Sequence, residues 1–369
     1  MTMQTAARKT RVLVVDDSAV VRKLLTDALK AEPDIEVVGG AADPFIARDL
    51  ILRHEPDVVT LDIEMPRMDG LSFLRRIMEH RPMPVIIISS VTQAGSAATL
   101  EAMSLGAIDV IAKPGGPSSV GHVTASLIRR IRELRTGPAP RFTRIAAAPA
   151  RLPAPHVSAA GRHRNALIAI GASTGGTQAI EAVLSRLPAA MPPIVITQHM
   201  PPIFTKAFAE RLDRACPMKI VEAKGNEVLE HGTAYVAPGD HHLSIERFGL
   251  QLRTMLRDSP PVHYQRPAVD VMFHSVARLQ GTAVVGVILT GMGRDGAEGL
   301  LALRNAGAET IAEDEQSCVV FGMPKEAIAL GAARHVTTLL DMPSRIAMSL
   351  ERLAGGGSAV SRPQTHVQP

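Results

Sequence analysis

The chain has 369 residues, 46% of them apolar, which is enough for two domains with separate hydrophobic cores. Aromatic residues make up only 3% and Trp is absent, so the cores must be aliphatic, as in helices packed on parallel sheets. The formal net charge of +4 is too small to indicate nucleic-acid binding, and the two cysteines lack the spacing of a zinc site.

The beginning of the chain predicts a cytoplasmic protein without membrane insertion. Arg8, Lys9 and Arg11 lead directly into a short strand, which leaves no room for the apolar region of a signal peptide. No apolar run approaches the roughly 20 residues that a membrane-spanning helix needs.

The first third of the chain alternates short aliphatic runs with helical patterns. This alternation predicts a five-stranded, doubly wound parallel sheet with helices on both faces. The predicted strands are 11–15, 36–38, 57–61, 84–88 and 110–112, and the predicted helices are 21–29, 44–53, 70–80, 96–105 and 118–134.

A second alternating region predicts another doubly wound α/β domain, with a mainly parallel sheet and a β-hairpin. Its hairpin is expected at 243–245 and 250–252, and its strongest strand at 284–289. The segment between the two regions consists of Pro, Ala and Arg without any period, which is typical of a linker. The predicted organisation is a first domain at 1–135, a linker at 136–164, a second domain at 165–354 and a disordered tail at 355–369.

Polar side chains follow four strands of the first predicted sheet. Asp16 and Asp17 follow the first strand, Asp62 the third, Ser89 the fourth and Lys113 the fifth. Because the carboxyl ends of parallel strands meet at one edge, these side chains should converge. Three crowded carboxylates favour a hard cation such as Mg²⁺, beside which a carboxylate can accept a phosphoryl group. A single strand-end Asp would more simply cap a helix, but the whole set favours a phosphoacceptor site.

The segments VVDDSAVVRKLL, TLDIEMPRMDGLSFL, VIIISS and GAIDVIAKP resemble the receiver domain of two-component response regulators, over about residues 10–135. The resemblance implies a flavodoxin-like fold, phosphorylation of Asp62 and a sensor histidine kinase as partner. It also implies a switch role for Ser89, phosphate contact by Lys113 and a cis peptide before Pro114. The implied Mg²⁺ ligands are Asp17 and Asp62, with Asp16 assisting, and the main-chain carbonyl of Glu64.

The second domain contains a candidate serine nucleophile. The segment GASTGG, 171–176, places Ser173 between a predicted strand and a helix, which is the context in which G-x-S-x-G is meaningful. His199 ends the next strand, and Asp295 follows the strand at 284–289, so the three could form a Ser-His-Asp triad. Taken singly, GASTGG could instead cradle phosphate, His199 could be a packed histidine and Asp295 a helix cap. The chain order Ser, His, Asp disfavours an ordinary α/β-hydrolase fold.

The segments ALIAIGASTGGTQAI, PIVITQHMPPIFTKAFAERLD, VILTGMGRDGAEGLLALRNAG and EDEQSCVVFGMPKEAI resemble the catalytic domain of chemotaxis protein-glutamate methylesterases (CheB). The resemblance implies Ser173 as nucleophile, His199 as general base and acid, and Asp295 as the orienting carboxylate. It implies an oxyanion hole at the Met292 N–H, with Thr174 as a second contributor. The implied substrates are methylated glutamates, and specific glutamines, on the cytoplasmic helices of chemoreceptors, and hydrolysis needs no cofactor.

Two domains joined by a Pro-rich linker suggest that the unphosphorylated receiver packs over the face that holds Ser173. Phosphorylation of Asp62 would then favour an open arrangement. Three alternatives stay open at this point: a DNA-binding output domain, a phosphate-binding scaffold built on GASTGG, and a substrate from another chemosensory pathway.

Overall fold

The computed structural model describes residues 8–65, 68–89, 93–113, 117–136 and 165–355. The predicted linker beyond residue 136, the predicted tail beyond residue 355 and Pro114 of the predicted cis peptide lie outside these ranges.

The first domain is a five-stranded parallel sheet in the order β2-β1-β3-β4-β5, as the sequence predicts. Successive residues of β1 point to opposite faces: Val12 and Val14 join one hydrophobic cluster, and Leu13 and Val15 another. Both faces of the sheet are therefore covered. The elements are β1 Thr10–Val15, α1 Ala19–Lys30, β2 Ile35–Ala41, α2 Pro44–His54, β3 Val58–Asp62, α3 Gly70–His80, β4 Val85–Ser89, α4 Gln93–Leu105, β5 Asp109–Ala112 and α5 Pro117–Thr136.

The second domain is a seven-stranded parallel sheet in the order β14-β13-β12-β6-β7-β9-β8, with a separate antiparallel hairpin, β10-β11. The chain leaves β6 towards β7 on one side and later returns to β12 on the other. This reversal beside β6 is the place where α/β sheets form ligand crevices. The strands are β6 Ala166–Ala172, β7 Ile194–Gln198, β8 Lys219–Glu222, β9 Thr233–Val236, β10 His242–Phe248, β11 Gln251–Arg257, β12 Ala283–Ile288, β13 Glu309–Glu313 and β14 His335–Thr337.

Six helices complete the described part of the second domain: α6 Gly176–Leu184, α7 Pro202–Ala215, α8 Val269–Ala277, α9 Ala297–Asn305, α10 Met323–Ala329 and α11 Met342–Gly355. Among the described residues, no helix is long and apolar enough to cross a membrane.

The hairpin differs from its sequence prediction. Leu250 was expected to begin the second strand, but it lies in the turn between β10 and β11 and is 98% exposed. Both strands are seven residues long, so they extend well beyond the short runs 243–245 and 250–252. The predicted hairpin is confirmed, but its strands were predicted too short because the prediction followed aliphatic residues only, whereas Glu246, Arg247 and Arg253 belong to the paired strands.

The receiver rests on the second domain through α4, which packs against α6 and α7. The Arg211 guanidinium on α7 donates a hydrogen bond to the Leu100 carbonyl on α4 at 2.9 Å, and it also pairs with Glu181 on α6 at 2.7 Å. The Gln178 side chain on α6 donates to the Met103 carbonyl. These contacts attach the receiver beside the strand-end edge of the seven-stranded sheet.

Candidate active site

Strand register brings Ser173 and His199 together. Ala172 at the end of β6 pairs with Gln198 at the end of β7, so Ser173 and His199 are the next residues on neighbouring strands. The His199 N–H donates to the Ala172 carbonyl at 3.1 Å, which continues the ladder past the strand ends. On the other side of β6, the Ser173 N–H donates to the Thr290 carbonyl at 3.1 Å.

The turn after Ser173 requires glycine. Gly175 has φ +77°, and a Cβ there would lie 2.6 Å from Val319 Cβ. A Cβ on Gly176 would lie 2.1 Å from the Gln198 side-chain oxygen. The small residues of GASTGG therefore let the chain pass from β6 into α6 with Ser173 at the bend.

The predicted His–Asp pair is present. His199 Nε2 lies 2.7 Å from Asp295 Oδ2, and both side chains are buried. Asp295 also accepts the N–H groups of Val269, at 2.7 Å, and Asp270, at 3.0 Å, which are the first residues of α8. Burial opposes the charge on Asp295, but the hydrogen bonds from His199 and from the helix N-terminus outweigh it, so the pKa of Asp295 is lowered.

The other ring nitrogen of His199, Nδ1, is buried and has no hydrogen-bond partner among the described residues. Because Asp295 holds Nε2, Nδ1 is the ring atom left to exchange a proton with Ser173. The site therefore has the parts of a triad, with the orienting carboxylate on Nε2.

A cavity of about 280 Å³ opens beside His199 and Asp295. Met292, which was predicted to supply an oxyanion donor, lines it. Thr174, the second predicted contributor, is buried, and its hydroxyl lies 3.4 Å from Asp109 Oδ2 of the receiver. The remaining lining residues are Arg129, His263, Tyr264, Gln265, Gly293 and Arg294.

The receiver forms one wall of this cavity. The Arg129 guanidinium on α5 lies 5.7 Å from the centre of the Tyr264 ring. Met292 packs into a hydrophobic cluster that contains Ile111 and Leu127 of the receiver. In this arrangement Ser173 is only 6% exposed, so a protein substrate has little access to it.

The predicted phosphoacceptor residues also converge. The carboxylate oxygens of Asp16, Asp17 and Asp62 lie within 4.8 Å of one another, and Lys113 Nζ lies 2.7 Å from Asp62 and 3.3 Å from Asp16. Burial raises the pKa of Asp62 to about 6 and also raises the pKa of Asp16. An all-oxygen set whose negative charge is poorly compensated fits a hard cation such as Mg²⁺.

Ser89 and Glu64 complete the predicted set. Ser89 is fully buried at the end of β4, and its hydroxyl accepts a hydrogen bond from Thr99 on α4 at 2.9 Å. The Glu64 N–H donates to Asp62 Oδ1 at 3.1 Å, so the main chain of Glu64 lies at the site. The receiver site thus connects through Ser89 and Thr99 to the helix that contacts the second domain.

Two residues of the second domain were missed by the sequence analysis. Thr290 contacts both Ser173 and Thr174, and the buried Glu313 carboxylate accepts the Thr290 N–H at 2.7 Å. The available signal was Glu313 itself, an acidic residue that directly follows Ile311 and Ala312 in the sequence. No local pattern connects it with Ser173, because 140 residues of sequence separate the two.

Comparison with known proteins gives two family matches. Residues 168–346 match the CheB methylesterase family, and residues 12–123 match the response regulator receiver domain. The protein-glutamate methylesterase/protein-glutamine glutaminase 4 of Anaeromyxobacter dehalogenans is 53% identical over 94% of this chain and 96% of its own length. The corresponding protein 2 of Syntrophus aciditrophicus is 51% identical over 90% of this chain and 96% of its own length.

A solved structure, the CheB methylesterase catalytic domain of Thermotoga maritima, is 38% identical, with a TM-score of 0.49; it covers 50% of this chain and 98% of that chain. The two relatives match almost from end to end, so each similarity extends over both matched domains of this chain. The chain therefore belongs to the family of CheB methylesterases that carry an N-terminal response regulator receiver domain.

Proposed function

We propose that this protein is a phosphorylation-activated protein-glutamate methylesterase and protein-glutamine glutaminase that acts on methyl-accepting chemoreceptors. The observation that carries the proposal is the buried His199–Asp295 pair, 2.7 Å apart, with Ser173 next to His199 on the neighbouring strand. The relatives that match along almost the whole chain bear this name. In this proposal residues 1–135 form the receiver, 136–164 the linker, 165–354 the catalytic domain and 355–369 a tail.

Hydrolysis begins at Ser173. Its hydroxyl oxygen attacks the side-chain carbonyl carbon of a methylated glutamate while His199 Nδ1 takes the proton. The ionised Asp295 stabilises the imidazolium that forms. The carbonyl oxygen becomes an oxyanion beside the Met292 N–H, and a missing donor at such a site costs roughly 100- to 1,000-fold in turnover.

The second half of the reaction releases the product. His199 gives its proton to the departing methoxide oxygen, so methanol leaves and an acyl-Ser173 ester remains. Water then attacks this ester, His199 takes its proton and returns it to Ser173, and a free glutamate is released. A glutamine offers the same carbonyl, with ammonia as the leaving group, so one site serves both activities.

The receiver supplies the control. Asp16, Asp17, Asp62 and the Glu64 carbonyl would hold Mg²⁺, which when bound supplies positive charge for an incoming phosphoryl group. Asp62 is the acceptor, and Lys113 neutralises a phosphoryl oxygen. In this proposal a sensor histidine kinase donates the phosphoryl group. The kinase and the receptor helices that serve as substrate are cytoplasmic, so we propose that the protein acts in the cytoplasm. We expect no nucleic-acid partner.

Phosphorylation acts on the closed arrangement. The receiver covers Met292 and contacts Thr174, so substrate entry requires it to move. A phosphoryl group on Asp62 would draw the Ser89 hydroxyl towards it and away from Thr99, and thereby weaken the attachment of α4. Moving from about 1% open to about 99% open takes about 5.5 kcal/mol of differential stabilisation.

The test is methanol release from methylated receptor membranes, with and without Mg²⁺ and a small phosphodonor. We expect wild-type release to rise with the phosphodonor, and Ser173→Ala to lower it by at least about 10⁴-fold. Ser185→Ala, an exposed serine at the end of α6, is the matched control and should behave as wild type. Release that survives Ser173→Ala would refute the triad, and no release by wild type would indicate another substrate.

A further inference from the structure

Glu313 is a buried acidic residue that none of the steps above uses. It ends β13, next to β12 in the sheet, and its side chain is 0% exposed. Burying a carboxyl group is unfavourable unless its oxygens are hydrogen-bonded, so the contact that it makes is informative. Glu313 Oε2 accepts the backbone N–H of Thr290 at 2.7 Å.

Thr290 connects Glu313 to the nucleophile turn. Its carbonyl accepts the Ser173 N–H at 3.1 Å, and its hydroxyl donates to the Thr174 carbonyl at 2.9 Å. The same hydroxyl accepts the Val320 N–H at 3.0 Å. Since the Thr290 N–H donates to Glu313, all three polar groups of Thr290 are hydrogen-bonded. Two of its hydrogen bonds, those to Ser173 and Thr174, are made to the turn that carries the nucleophile.

The residue after Thr290 lies directly against the nucleophile. A Cβ added to Gly291 would be 2.8 Å from Ser173 Cβ and 2.3 Å from Met323 Sδ, so the chain has no free space there. The following residue is Met292, whose N–H is the proposed oxyanion donor. A displacement of Thr290 would therefore change the distance between the Ser173 hydroxyl and the Met292 N–H.

We propose that Glu313 is a positioning residue for hydrolysis: by holding the Thr290 amide, it sets the Ser173 hydroxyl relative to the Met292 N–H. This inference rests on the proposed function. Misplacing a reacting group by about 1 Å can cost roughly 100-fold in rate, so a hydrogen bond outside the cavity can control turnover. Glu313 touches neither the substrate nor the reacting atoms, and its effect belongs in kcat and not in KM.

The test compares three substitutions of Glu313 in the full chain, with phosphodonor and Mg²⁺, measuring methanol release from methylated receptor membranes. Glu313→Gln keeps an acceptor oxygen in place and should stay within about threefold of wild type. Glu313→Asp keeps a carboxyl group but withdraws it by one methylene, and Glu313→Leu removes the acceptor. We expect both to lower kcat by about 10- to 100-fold with KM unchanged.

Glu309→Gln is the matched control, because Glu309 lies at the other end of β13 and pairs with His335. It should leave kcat unchanged. The inference would be overturned if Glu313→Asp had the kcat of wild type, or if the substitutions changed KM and not kcat. It would also be overturned if Glu313→Gln lowered kcat as much as Glu313→Asp does. If Glu313→Leu does not fold, the Asp and Gln variants decide. A wild type that releases no methanol would instead refute the proposed function.

Discussion

The receiver and the catalytic domain place their reactive groups in the same way but leave them in opposite electrostatic states. In both, parallel strands deliver polar side chains to one edge of a sheet. At the receiver edge, burial raises the pKa of Asp62 to about 6, because the hydrogen bond and charge of Lys113 only partly offset the loss of solvation. At the catalytic edge, the pKa of Asp295 is lowered, because His199 and the start of α8 satisfy its oxygens.

This difference matches what each site has to do. In the proposed mechanism the catalytic site needs a fixed, ionised Asp295 before substrate arrives, since preorganised charges and dipoles accelerate a reaction without reorganising during it. In the same proposal the receiver site lacks compensating positive charge, so a cation and a phosphoryl group would change it. In this view the catalytic edge has its charges in place before substrate binds, whereas the receiver edge changes its charge when it binds a cation and a phosphoryl group. Substitutions at each edge should therefore have different effects.

The largest effect is expected from Asp295→Asn. An amide cannot stabilise the His199 imidazolium, and its NH₂ would face the N–H groups of Val269 or Asp270. Methanol release should fall by about 10⁴-fold, with phosphorylation of the receiver unaffected. Glu298→Gln, an exposed residue in the first turn of α9, is the control. A loss below about tenfold would show that His199 does not depend on Asp295.

Asp62→Asn should remove the response to phosphodonor and leave basal hydrolysis intact. Allosteric couplings of this kind are typically worth about 5- to 150-fold, so we expect wild type to be stimulated within that range and the variant not at all. The measurement is the ratio of methanol release with and without phosphodonor, and Asp49→Asn, exposed on α2, is the control. A variant that is still stimulated would place the phosphoacceptor elsewhere.

The sequence predicted both sheets and the convergence of the strand-end residues, because aliphatic runs and the residues that end them are local signals. It located Ser173, His199 and Asp295 one strand at a time. It could not predict that α8 begins against Asp295, because Val269 and Asp295 approach only when the sheet is assembled. The sequence also could not predict which ring nitrogen of His199 faces Asp295, since that depends on side-chain rotation in the folded site.

The receiver contacts were predictable only in outline. Two domains and a Pro-rich linker suggested that one covers the other, but no pattern marks Arg129, Asp109 or Leu100 as contact residues. Thr99 is similar: it is one of several small residues on α4, and only the structure places its hydroxyl on Ser89. Contacts between distant segments have no periodicity, so sequence patterns of helices and strands do not contain them.

Affinity for Mg²⁺ should depend on pH through Asp62. Its raised pKa of about 6 means that below this pH a proton competes with the cation, and bound Mg²⁺ in turn lowers the pKa. Affinity should therefore be at least about tenfold weaker at pH 5 than at pH 7, as measured by calorimetric titration of the full chain. Asp62→Asn should bind more weakly at pH 7 and lose most of the pH dependence. Equal wild-type affinity at both values would mean that Asp62 is ionised throughout.

The smallest effect is expected from Arg129→Ala, which tests whether the receiver itself closes the catalytic cavity. The contact between Arg129 and the Tyr264 ring is worth about 0.5–1 kcal/mol at an exposed site, so its loss should raise basal methanol release about two- to fivefold. Fully phosphorylated protein should be unaffected, because the receiver has then already moved away. Lys23→Ala on α1, whose partner Asp27 is on the same helix, is the control. A fall in phosphorylated activity would instead show that Arg129 contacts the substrate, and that the receiver contributes to the site as well as covering it.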